Sequence, residues 1–226
     1  MNFELKKFGP ATLTSEKCDV FLVLVTNAFQ AGKDALSVLV AKALKSGDFA
    51  NRSGHILDIY RPMGFAMTHL ILVHVVDGAS TDVRKGIATA MSAVKIAKPR
   101  RIAMCFLQQP DPKSLRCAVT TLADVSYVYT TTKSEQLGCS IKSASFCVPD
   151  DLALQVIFHR AVAVVHGVEL AKEWGNRPAN HATPTHLAHA AKSLAEFPRV
   201  KVEILGPKEV VKLGMGAFAA VAQGSN

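Results

Sequence analysis

Uninterrupted apolar runs alternate, along the first two thirds of the chain, with stretches whose apolar positions recur every three to four residues. DVFLVLVTN (19–27) has the pattern of a strand buried on both faces. After Gly32, KDALSVLVAKALKSG (33–47) places Leu36, Leu39, Val40 and Leu44 on one face of a helix that stops at Gly47. THLILVHVV (68–76) followed by DVRKGIATAMSAVKIAK (82–98) repeats the order. RIAMCFL (101–107) followed by DPKSLRCAVTTLADVSYVYTT (111–131) repeats it again, with Pro110 and Pro112 as punctuation. SGHILDIYR (53–61) and SIKSASFCVP (140–149) read as further strands nearer the sheet edges. Repeated strand–helix units predict an α/β fold in three layers, a mostly parallel sheet flanked by helices, complete within residues 1–150.

The pattern then changes. DDLALQVIFHRAVAVVHGVELAKEWGN (150–176) predicts one long helix with acids at its start, apolar positions at Leu152, Val156, Val162 and Val165, and Gly175-Asn176 as its stop. Such a helix either links two domains or packs as the last helix of the first. A helix (184–197), a strand VKVEIL (200–205), a short helix (207–215) and a small-residue segment (216–226) follow. One strand and three short helical pieces do not close a core. The expected organisation is therefore a first α/β domain (1–150), a linker helix (151–175) and an incomplete second α/β domain (176–226).

Composition narrows the class. Of 226 residues, 49% are apolar and 19% charged, enough to build a core and too apolar for a disordered chain. Five cysteines, at 18, 105, 117, 139 and 147, contain no C-x-x-C spacing, which predicts free thiols and a reducing compartment. No apolar stretch of signal-peptide length follows the start, so the expectation is a cytoplasmic protein with no membrane span. Net charge is +8, and residues 1–150 hold 18 basic against 12 acidic residues. That excess admits nucleic acid as a partner. The densest cluster, Lys95, Lys98, Arg100 and Arg101, falls at a predicted helix end, where cations favour the helix dipole. No helix-turn-helix, RNP-like or zinc-finger pattern accompanies it.

Motifs of catalysis are sparse. Gly32-Lys33 and Gly206-Pro207-Lys208 lack the phosphate-loop spacing. Asn27, within VLVTNAF (23–29), resembles the strand-end asparagine of macrodomains, which bind ADP-ribose-type ligands; a strand-end turn residue is the plainer account. His186 and His189 share a helix face near His181, a spacing compatible with a metal, but no carboxylate lies beside them. His159 and His166, seven apart on the long helix, read as packing or subunit-facing residues. Neither Ser53 nor Ser225 has a G-x-S-x-G context.

The stretch NRPANHATP (176–184) reads as a rigid corner. Thr183 is an N-cap, Pro184 suits the first helical position, Pro178 holds Arg177 extended, and Asn176 and Asn180 supply side chains to the turn backbone. Asn176, Pro178, Asn180, Thr183, Pro184, Leu187 and Ala188 match N-x-P-x-N-x-x-T-P-x-x-L-A. Gly214, Met215, Gly216, Ala220, Val221, Gly224 and Ser225 match G-M-G-x-x-x-A-V-x-x-G-S. In this order and separation the two patterns resemble the junction of the leucyl (cytosol) aminopeptidase family. The resemblance implies a macrodomain-like N-terminal domain, the start of a peptidase domain, and a parent enzyme releasing N-terminal residues from peptides as a cytoplasmic homohexamer. It also implies two divalent ions, manganese or zinc, held by motifs resembling V-G-K-G and N-T-D-A-E-G-R-L. Neither motif occurs here, and residues 176–226 contain no Asp. No catalytic, cofactor-binding or metal-ligating residue is therefore assigned in this chain, which alone is expected to be inactive.

Overall fold

A computed structural model of the chain describes residues 1–95, 98–135 and 138–224. It falls into two compact units, Met1–Ala171 and Lys172–Asn226.

Six strands form the sheet of the first unit: β1 (Asn2–Lys7), β2 (Val20–Val25), β3 (Ile56–Tyr60), β4 (His69–His74), β5 (Arg101–Phe106) and β6 (Ser143–Val148). Their order is β1-β6-β5-β2-β4-β3; every pairing is parallel except β3 with β4. Chain direction therefore reverses around β2: the sheet grows toward β4 and β3 on one side, then toward β5 and β6 on the other. The two-residue period of a strand sorts the apolar run of β2 between two cores. Val20, Leu22 and Leu24 join the cluster under α3 (Ser80–Ala93) and α4 (Pro112–Ser126). Phe21, Val23 and Val25 join the cluster under α2 (Ala35–Ser46), with Leu13 of α1 (Pro10–Ser15). Both faces of the central strands are buried, so the expected α/β sheet between helical layers is the fold observed.

Local chemistry sets the helix ends. The Asp34 carboxylate accepts from Ser37 N at 2.9 Å and starts α2; Gly47, at φ 83°, ends it in the left-handed region that a Cβ disfavours. Asp111 caps α4, accepting from Lys113 N at 2.7 Å and Ser114 N at 3.1 Å, with Pro112 in the first turn. This helix stops at Ser126, short of the expected 131, because Tyr127–Thr132 is a run of aromatic and β-branched residues with low helical preference. Helix α3 stops at Ala93; residues 96–97 of the expected 82–98 helix lie outside the described residues. Lys95, Lys98, Arg100 and Arg101 consequently follow the helix rather than finish it, and the last turn of α3 carries no cation. The backbone N–H groups of Arg100 and Arg101 donate instead to Asp19 Oδ2, at 2.7 and 2.8 Å, fixing the start of β5 beside β2.

Two elements had no counterpart in the predicted pattern, β1 and α1. Strand β1 lies at the sheet edge beside β6, where Phe3 and Leu5 alternate with polar neighbours. Residues 152–154 form a 3-10 turn ahead of α5 (Gln155–Asn176). The buried face of α5 matches the expected one at Val165, with Val162 partly buried against the core, and departs from it at Leu152 and Val156. Phe158, Ala161 and Val165 enter the core, whereas Leu152 is 80% and Val156 63% exposed. Residues 152–176 are long and apolar enough to cross a membrane by length and composition, while Leu154, Phe158, Ala161 and Val165 pack into the core of the sheet's helical layer.

The second unit contains 3-10 turns at 179–181 and 194–196 with α6 (Pro184–Ser193), α7 (Pro207–Lys212) and α8 (Gly216–Gln223). VKVEIL (200–205) is not a strand. A strand exists only through its ladder, and among the described residues of this unit no other extended segment pairs with it. Neither α6 nor α8 has a buried side chain, and Phe197, Val211, Phe218 and Val221 are exposed.

Candidate functional site

Because the sheet is mostly parallel, its carboxyl edge gathers the ends of β1, β2, β5 and β6, the location at which open α/β sheets bind ligands. A cavity of about 550 Å³ opens there, lined among others by Phe8, Phe29, Asp34 and Gln108. Gln108 is the tie across this edge. Its Oε1 accepts from Thr26 Oγ1 and its Nε2 donates to the Ala28 carbonyl, both at 2.5 Å, joining the segment after β5 to the turn after β2. Asn27 does not line the cavity; its backbone N–H donates to the Val76 carbonyl at 2.7 Å, as a strand-end turn residue does. The Asp34 carboxylate is held below the usual carboxylate range: burial opposes ionisation, but donors from Ser37 and the first turn of α2 outweigh it. The edge thus presents an anion already committed to a helix cap.

Histidines in the apolar run of β4 form a second feature, absent from the sequence-level candidates. His69 is fully buried; its Nε2–H donates to the Asp58 carboxylate on β3, and Tyr60 stacks on its ring at 4.1 Å. His74, also buried, has no partner at either ring nitrogen among the described residues and packs edge-on to Phe49 at 6.0 Å. Burial depresses its pKa; Asp82 opposes the shift and His55 adds to it. The signal for both was a polar side chain at each end of an otherwise apolar strand.

In the second unit, the corner ahead of α6 is built as its residues predict. Thr183 is the N-cap, with Oγ1 accepting from His186 N at 3.3 Å, and Pro184 takes the first turn. Asn176 Nδ2 donates to the Lys172 carbonyl at 2.7 Å. The Arg177 guanidinium lies 4.0 Å from the Trp174 ring centroid and pairs with Glu173 at 3.1 Å. His181, His186 and His189 are exposed, and His186 Nδ1 contacts Thr183 Oγ1 at 3.0 Å. Ser225 lies outside the described residues. Among the described residues no three His, Cys, Asp or Glu side chains converge as a metal-binding group. The donors among the described residues therefore do not fit a pair of divalent ions, which needs several converging carboxylates.

Residues 169–226 match the sequence profile described as cytosol aminopeptidase family, catalytic domain. A probable cytosol aminopeptidase of Albidiferax ferrireducens is 48% identical over 225 residues, covering all of this chain and 47% of that protein. A tomato leucine aminopeptidase mutant superposes with a TM-score of 0.76 at 23% identity, covering 98% of this chain and 48% of that one. The bottromycin maturation enzyme, solved in complex with manganese, shares the fold with a TM-score of 0.58 at 18% identity, over 79% of this chain and 36% of its own. The chain spans about half the length of the curated relatives it matches. Carrying both junction patterns and similar along its full length to these proteins, the chain resembles the N-terminal part of the cytosol aminopeptidases.

Proposed function

We propose that this chain is the N-terminal part of a metal-dependent aminopeptidase, comprising a macrodomain-like domain (1–150), a linker helix (151–175) and the beginning of the peptidase domain (176–226). The observation that carries the reading is the profile match at residues 169–226. The parent protein releases N-terminal residues from peptides in the cytoplasm as a homohexamer, using two divalent ions, manganese or zinc. Those ions would polarise the scissile carbonyl and lower the pKa of the attacking water. This chain contributes the fold and the start of the second domain, and no metal ligand.

Two measurements test this reading. Purified residues 1–226 should not hydrolyse leucine amide with Mn²⁺ or Zn²⁺ added. A chimera with residues 1–226 replacing the aligned part of the Albidiferax ferrireducens relative should hydrolyse it in a chelator-sensitive manner. Chelator-sensitive turnover by residues 1–226 alone, or a folded chimera without activity, would overturn it.

A further inference from the structure

Helices α3 and α4 lie side by side on one face of the sheet and run in the same direction, because each follows a parallel strand and returns to the next. Their first turns therefore meet at one end. Together with α5 they line an open groove of about 460 Å³. Arg84 projects into it from α3, Lys113 and Arg116 from α4. Neither Arg84 nor Arg116 has an ion pair or side-chain hydrogen bond among the described residues, and Lys113 has only the Coulombic company of Asp111. Three exposed cations on one groove wall, two of them without an ion pair among the described residues, form a positive patch that attracts an anion.

The groove also has directional chemistry. Ser80 and Thr81 bring hydroxyls to its wall from the first turn of α3. That turn has no side-chain cap, since Ala79 occupies the N-cap position, so its backbone N–H groups remain available as donors, while Asp82 in the same turn offsets part of its positive end. Opposite them, Val164 and Val168 of α5 stand one turn apart and remain 38% and 44% exposed, giving the groove an apolar wall.

We propose that this groove binds a small phosphate monoester, its phosphate held by Arg84, Lys113 and Arg116 and its apolar body against Val164 and Val168. A monoester carries close to two negative charges and three acceptor oxygens, matching several converging donors better than a carboxylate does. The groove's volume suits a small ligand. An extended nucleic-acid backbone fits less well. Asp82, in the first turn of α3, accepts from Ser53 Oγ, and Asp111 is the N-cap of α4; these carboxylates disfavour a longer run of phosphates at this end of the two helices. The site lies within the first unit and does not depend on the peptidase reading.

Calorimetric titration of the 226-residue chain with phenyl phosphate at low ionic strength tests the proposal. The expected result is saturable one-to-one binding, weaker with inorganic phosphate, and weakened about tenfold or more in Arg116→Gln. Val168→Ser should lose several-fold for phenyl phosphate and nothing for inorganic phosphate. Arg100→Gln, ahead of β5 at the opposite edge of the sheet, should bind as wild type. Circular dichroism establishes that each variant folds, and Arg84→Gln replaces Arg116→Gln if the latter does not. Absence of saturable binding, or equal weakening by Arg100→Gln, would overturn the assignment. So would a short DNA duplex that binds through Arg116 where phenyl phosphate does not.

Discussion

Replacing Gly86 by alanine should destabilise the first unit, although the same change in an isolated helix would stabilise it. Gly86 lies inside α3 on the face that meets the sheet. A Cβ there would stand 2.7 Å from Val73 Cγ1 and 3.1 Å from Val75 Cγ1. Both valines are buried, at 0% and 1% exposure, and β-branched, so neither can swing away cheaply. Forcing a methyl into such packing costs about 1–3 kcal/mol, whereas exchanging glycine for alanine within a helix contributes about 1 kcal/mol. The net expectation is a loss of about 1 kcal/mol. Trp174 is the only tryptophan and lies outside the first unit, so urea unfolding is best followed by far-UV circular dichroism. With a slope of about 2 kcal/mol per molar urea, the midpoint should fall by about 0.5 M. In a Val73→Ala background the closer contact is gone and only that with Val75 remains, and Gly86→Ala should then lower the midpoint less than it does in the wild type, or raise it. A higher midpoint in the wild-type background, or the same fall in both, would refute the close approach of α3 to β4 as the cause.

Thr183→Ala should cost about 1 kcal/mol of local stability at the start of α6, read as faster amide exchange in its first turn; unchanged exchange would show that Pro184 alone sets that start. Under native conditions a thiol reagent should modify the half-buried Cys139 first and spare Cys18 and Cys147, whose thiols burial pushes up to about 12. Rapid modification of Cys18 or Cys147 ahead of unfolding would contradict their placement. For His74, burial holds the folded pKa below the ordinary value of 6.5, so the unfolded chain binds the proton more readily. Its contribution to stability is present above pH about 6.5 and is lost as pH falls through that value toward the depressed folded pKa. His74→Leu should therefore flatten stability against pH between about 7.5 and 5, and an unchanged slope would exclude His74 as its source.

The central strands, the three-layer α/β class, the Gly47 stop of α2, the cap of α6 and the two junction patterns were legible in the sequence. Each rests on neighbours within a few residues: a two- or four-residue period, a glycine at positive φ, an oxygen reaching a backbone N–H three positions on. Other features depended on partners distant along the chain. Strand β1 exists because β6 offers it an edge, and VKVEIL, with the same local pattern, has no ladder and is not a strand. The periodicity of α5 permitted more than one apolar stripe, and the chosen one, Phe158, Ala161 and Val165, was decided by the core it meets. The same holds for chemistry. His74 reads as a polar interruption until the sheet removes its ring from water. Arg84 and Arg116 are ordinary helix-surface cations until the parallel return of two helices brings them to one groove. Local sequence determines conformations that short-range sterics and hydrogen bonds can select; pairing, burial and the convergence of charge arise only when segments far apart in sequence share one core.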